Sequence, residues 1–73
     1  MAKLPVLSAR EVIKTLTKLG FVAVRQSESH IHLWHERKRV LVTVPNHPDL
    51  AKGTLLSILR QAKVSRDEFL EGV

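Results

Sequence analysis

Three runs rich in apolar and β-branched residues occupy positions 21–26, 30–35 and 40–44, with at most four residues between neighbours. Parallel strands need a crossover of a dozen residues or more, whereas antiparallel strands can be joined by a short turn. The tract therefore predicts a three-stranded antiparallel meander. Ser27-Glu28-Ser29 forms its first turn, without the glycine that tight hairpins favour. Glu36-Arg37-Lys38-Arg39 forms the second, a charged loop. Pro45 has no amide hydrogen to donate and closes the third strand.

Successive side chains of a strand point to opposite faces. Val22 and Val24 are expected to share a face, and Val40, Val42 and Val44 to form an inner set. If Ile31 and Leu33 point inward, His30, His32 and Trp34 share the outward face. His35 then faces opposite to His30 and receives no catalytic role.

Two helices flank the meander. Ser8 is a good N-cap, Glu11 completes a capping box, and Leu7 with Val12 can form a hydrophobic staple. Val12, Ile13, Leu16 and Leu19 repeat at helical spacing, with a basic ridge of Arg10, Lys14 and Lys18 beside them. Gly20 stops this helix, predicted over residues 9–19. A second helix is predicted from Lys52 or Gly53 to Ala62, with Leu55, Leu56, Ile58, Leu59 and Ala62 as its apolar stripe. Ser65 and Glu68 make a further capping box, which predicts a short terminal helix packed by Phe69. Each main helix has one stripe to bury. The expected fold is α+β: a two-layer arrangement, three-stranded antiparallel sheet with the helices on one face and the other face open. Seventy-three residues suit a single domain with one core.

The chain has no cysteine, which excludes disulfides and thiolate zinc sites. No apolar run approaches the roughly 20 residues that span a bilayer, and Met1-Ala2-Lys3-Leu4-Pro5 lacks the apolar middle of a signal peptide. The expected location is the cytoplasm. Twelve Lys and Arg against seven Asp and Glu give a net charge of +5, which favours a polyanion or an acidic protein as partner.

Several short motifs follow one another along almost the whole chain: Gly20-Phe21 after the first helix, Ser29-His30 opening the second strand, Val42-Thr43-Val44-Pro45, Lys52-Gly53-Thr54-Leu55, Ser57-Ile58-Leu59-Arg60-Gln61-Ala62, and Ser65 with Glu68-Phe69. In their order and spacing they resemble the HicA family of small ribonuclease toxins. The resemblance implies a fold like that of double-stranded-RNA-binding domains, metal-independent cleavage of messenger RNA with His30 as the active-site histidine, and neutralisation by a HicB-type antitoxin. Assembly as a homodimer, or into something larger through the antitoxin, is compatible with it. The chain departs from the family's Gly-Ser-His motif at Glu28, which stands where glycine is usual. Glycine permits a positive φ and close backbone approach, and glutamate adds a negative charge. This departure keeps a second reading open, that of a non-catalytic RNA-binding or protein-interaction module.

Ribonuclease chemistry without a metal needs a base for the 2′-hydroxyl, an acid for the leaving 5′-oxygen and cations for the transition state. A histidine side chain suits either proton transfer near neutral pH. His30 is the catalytic candidate, anchored at a strand start beside a polar turn. His32 is a possible second group, although nothing in the resemblance points to it and a plain surface histidine is the preferred account. His30 and His32 make a usable metal pair, but no third ligand is evident, so no metal or cofactor is expected. Ser29 and Arg25 are candidate RNA contacts. Trp34 suits a protein interface first and base stacking second. Lys52 and Thr54 open a helix whose free amides suit a phosphate, with Gly53 allowing close approach. Arg37, Lys38 and Arg39 either extend a phosphate track or form a solvated tip.

Overall fold

The computed structural model describes residues 4–73. The signal-peptide reading of the first five residues therefore lies partly outside the described residues. Helix α1 (Ala9–Lys18) begins as its capping box dictates: the Ser8 hydroxyl accepts the Glu11 amide at 3.2 Å, and the Glu11 carboxylate accepts the Ser8 amide at 3.1 Å. Val12 and Leu16 are fully buried, with Ala9 and Thr15 beside them and Ile13 and Leu19 at the margin. The helix ends one residue before the expected limit, because Leu19 is its cap.

The chain leaves α1 through a Schellman turn. The Gly20 amide donates to Thr17 O at 3.1 Å and the Phe21 amide to Leu16 O at 3.0 Å, while buried Phe21 and Leu16 supply the accompanying apolar contact. Gly20 has φ +100°, and a Cβ there would lie 2.8 Å from His35 Nε2. Backbone and packing both require glycine at this position. Gly20→Ala is expected to cost about 2 kcal/mol, read as a lowered urea midpoint. An unchanged midpoint would contradict the geometry.

Strands β1 (Val22–Gln26), β2 (His30–His35) and β3 (Val40–Pro45) form one antiparallel sheet in that spatial order, the expected meander. Ile31, Leu33, Val42 and Val44 point into the core, and Val40 lies at its edge. Helices α2 (Lys52–Ala62) and α3 (Arg66–Glu71) complete the covered layer with Leu55, Ile58, Leu59, Ala62 and Phe69. Ser65 accepts the Glu68 amide at 3.1 Å and so caps α3 as expected. Helix α2 ends in a second Schellman turn, closed by Lys63 in the left-handed region at φ 56°.

The sheet differs from strict alternation in β1. Ala23 opposes Leu33 and Arg25 opposes His32, so Val24 is an extra residue in a β-bulge. All five β1 residues are exposed. The far edge, β3, is occupied at one point by α2, where Gln61 Oε1 accepts the Thr43 amide at 3.2 Å.

Candidate functional site

The open face of the sheet is built in rows set by strand register. Val22, Trp34 and Leu41 oppose one another in the first row. Arg25, His32 and Thr43 form the second. His30, opposite Pro45, ends the third. The first row is apolar and open: Val22 and Leu41 are more than half exposed. Trp34 is half-buried, with the Arg39 guanidinium carbon 5.7 Å from its ring centroid. Arg39 also pairs with Glu36.

The second row holds a cleft of about 300 Å³ lined by Val24, Arg25, His32 and Leu41. Strict alternation from Val22 would turn Arg25 towards the covered side. The bulge turns it to the His32 side instead. His32 Nδ1 lies 3.0 Å from Thr43 Oγ1 on the neighbouring strand.

His30 is exposed, yet its backbone is held by the hairpin. The His30 amide donates to Ser27 Oγ at 3.2 Å, and the Ser27 amide donates to His30 O at 2.8 Å. Glu28 and Ser29 form the tip. Among the described residues only Arg39 and Lys63 are non-glycines with positive φ, so Glu28 closes this turn without the left-handed conformation. The loop after β3 is tied to the same tip. The Asn46 amide donates to Ser29 O at 2.8 Å, and Asn46 Nδ2 to Glu28 O at 3.4 Å. From there the chain touches the start of α1, where the Ala9 amide donates to His47 O at 3.0 Å, and then enters α2. The N-termini of both main helices thus lie at the His30 end of the sheet, where each contributes a partial positive charge.

Lys52 is exposed and Thr54 half-buried in the first turn of α2, whose cap residue Ala51 makes no side-chain hydrogen bond. They share the His30 end of the fold but do not line the cleft. A Cβ on Gly53 meets nothing within 4 Å, so packing does not demand glycine there. The 36–39 loop sits at the other end of β2, about 17 Å from His30 at 3.3 Å per residue. Two of its three cations have structural partners: Lys38 Nζ donates to Lys63 O at 2.9 Å at the end of α2, and Arg39 engages Glu36 and Trp34. The ridge of Arg10, Lys14 and Lys18 lies on the solvent side of α1, away from the open sheet face.

His35 is buried against Phe21, with ring centroids 4.9 Å apart and planes at 70°. The Lys38 amide donates to Nδ1 at 3.0 Å, so the ring proton sits on Nε2 and is donated to Leu19 O at 3.1 Å. Sequence reasoning had the direction of His35 but not this bracing role. It also missed the cleft residues Val24, Leu41 and Thr43. The outward position of Leu41 follows from the inner set of valines, and that of Thr43 from the register once the 36–39 loop length is counted.

Among the described residues no three His, Asp or Glu side chains gather as a metal-binding group. None of the described helices is long and apolar enough to cross a membrane.

A sheet with one face covered by helices and one open face carrying histidine, arginine and tryptophan defines a small basic α+β domain. The family model described as HicA toxin of bacterial toxin–antitoxin matches residues 9–64, well over half of the chain and all of α1 through α2. The chain belongs to the HicA toxin family, and its role is that of a toxin in a toxin–antitoxin system, which implies an antitoxin partner. No curated protein matches it.

Proposed function

We propose that residues 1–73 act as one endoribonuclease domain that cleaves messenger RNA in the cytoplasm without a metal and is neutralised by a HicB-type antitoxin. One observation carries the catalytic assignment: His30 has a fixed backbone and an exposed ring on the open face of a HicA fold. In this reading His30 removes the proton of the ribose 2′-hydroxyl, which attacks the adjacent phosphate. Arg25 supplies a permanent cation on the same face. Ser29 offers a hydroxyl at the turn, and Lys52 and Thr54 receive a neighbouring phosphate at the free first turn of α2. Trp34 gives an apolar contact to the antitoxin or to a base.

The test is incubation of the purified protein with single-stranded RNA in EDTA at low salt. Fragments ending in a 2′,3′-cyclic phosphate are expected, with cutting weakened as salt rises. Intact RNA, or cutting that EDTA abolishes, would refute the proposal.

The reading of a non-catalytic RNA-binding module is favoured by one feature, the Glu28 carboxylate two residues from His30. Since Glu28 does not use positive φ, its effect here is charge and bulk rather than turn geometry. Glu28→Gly is expected to strengthen RNA binding at low salt roughly fivefold, the effect of about 1 kcal/mol of relieved repulsion. Glu28→Gln separates charge from bulk and should recover most of the gain. RNA binding without cutting in wild type, joined by cutting in Glu28→Gly, would identify a toxin silenced at its turn.

A further inference from the structure

The ribonuclease reaction needs two proton transfers, and His30 accounts for one. We infer that His32, oriented by Thr43, performs the other, giving its Nε2 proton to the leaving 5′-oxygen. This rests on the ribonuclease reading of His30 and extends it to a residue outside the family's motif.

Geometry brings the two imidazoles together. They lie two residues apart on β2 and share its open face, so their Cα atoms are about 7 Å apart. In an in-line displacement the attacking and leaving oxygens lie on opposite sides of phosphorus. A phosphate seated between the rings would present one oxygen to each. The 2′-oxygen loses its proton to His30 and bonds to phosphorus. The bond from phosphorus to the 5′-oxygen breaks with its electron pair on that oxygen, which takes the His32 proton. The products are a 2′,3′-cyclic phosphate and a 5′-hydroxyl, and water restores both rings.

The surroundings of His32 suit this task. Its Nδ1 is engaged by Thr43 Oγ1 at 3.0 Å, which fixes the ring and leaves Nε2 as the reactive nitrogen. A hydroxyl can donate or accept. Thr43 therefore stays paired with Nδ1 whether the ring is charged or neutral. The β1 bulge sets two residues, Val24 and Arg25, opposite His32 alone. Arg25 brings a cation for the phosphate to the same cleft, while Val24 and Leu41 wall it with apolar surface. Bulges often re-aim a side chain at an active site. Other charged groups do not fit the role. Arg25 does not give up its proton, Glu28 sits in the turn on the His30 side, and His35 faces the core.

The test uses His32→Gln, whose amide can take the place of the reactive Nε2 but cannot supply the proton. Two substrates are compared: single-stranded RNA, and a mixture of the four ribonucleoside 3′-(4-nitrophenyl phosphates), whose leaving group needs no proton. His32→Gln is expected to lose roughly 100-fold or more on RNA, yet stay within a few-fold of wild type on the aryl esters. His30→Ala should fail on both. Thr43→Val, which keeps shape and backbone but cannot orient the ring, should lower cleavage of RNA and not of the aryl esters, with an unchanged urea midpoint. Wild-type cleavage of RNA by His32→Gln overturns the inference, as do equal losses on both substrates, or rescue of His30→Ala in its place. If wild type cleaves neither substrate, the ribonuclease reading falls and takes this one with it. If wild type cleaves and His32→Gln matches it, only this one falls.

Discussion

His30→Ala is expected to lower RNA cleavage by roughly 10²–10⁴-fold, the range for losing one positioned proton-transfer group, while leaving stability within about 0.5 kcal/mol of wild type. The two halves of this expectation have separate causes. The ring of His30 is exposed, and the hydrogen bonds that hold the residue run through its backbone amide and carbonyl. Alanine keeps both, so the hairpin should close as before. Only the imidazole is lost, and with it the base for the 2′-hydroxyl. Cleavage rates in EDTA and a urea titration on the same preparation check both halves. Unchanged cleavage removes His30 from the mechanism. A joint fall in cleavage and stability makes it a structural residue whose loss merely unfolds the site.

Much of this arrangement is legible in the sequence because local and global signals agree. Ser8 and Glu11 announce α1 by chemistry that acts within four residues, and the structure forms both bonds. The limits of β2 follow from alternation, and the limits of α2 from its apolar stripe, because each pattern is reinforced by burial. What the sequence hides are departures that leave no residue signature. The β1 bulge falls at Val24, in a run of Val-Ala-Val-Arg with no glycine to mark it. Lys63 ends α2 in the left-handed region, where glycine would have been the readable signal. The exposure of all of β1 depends on how far the helices reach across the sheet, which no local pattern encodes.

The same distinction applies to the open face. His30, His32 and Trp34 follow from a period of two along one strand, so their shared direction is a one-dimensional fact. Their neighbours are two-dimensional facts. Arg25 reaches His32 through the bulge, and Thr43 reaches it through register. The 36–39 loop shows the opposite outcome. Its run of cations looks like a phosphate track, yet the fold uses Lys38 to close α2 and Arg39 to cover Trp34. Charge in a sequence has no address until the strands that carry it are paired.

His35 supplies the counterpart to His30. His35→Ala is expected to cost about 3–5 kcal/mol of stability, which combines lost packing with buried hydrogen-bonding groups left alone. The ring fills the space between Phe21 and Gly20 and links two segments at once. It accepts the Lys38 amide and donates to Leu19 O, so it joins the 36–39 loop to the end of α1. Alanine opens a cavity against Phe21 and strands one backbone donor and one acceptor. For a 73-residue domain the total stability is on the order of 4–11 kcal/mol, so this single change removes a large share of it. His35→Phe divides the cost. It restores volume but neither hydrogen bond, and should fall between wild type and alanine. Urea midpoints of the three proteins give the order, and slopes that stay equal show that one cooperative unit is being compared. If His35→Ala matches wild type, the link between α1 and the loop carries no weight. If it matches His35→Phe, packing contributes nothing and the hydrogen bonds carry the whole effect. The expected contrast is then complete on one strand: His30 lost costs chemistry without stability, and His35 lost costs stability, with cleavage falling only as far as the folded fraction falls.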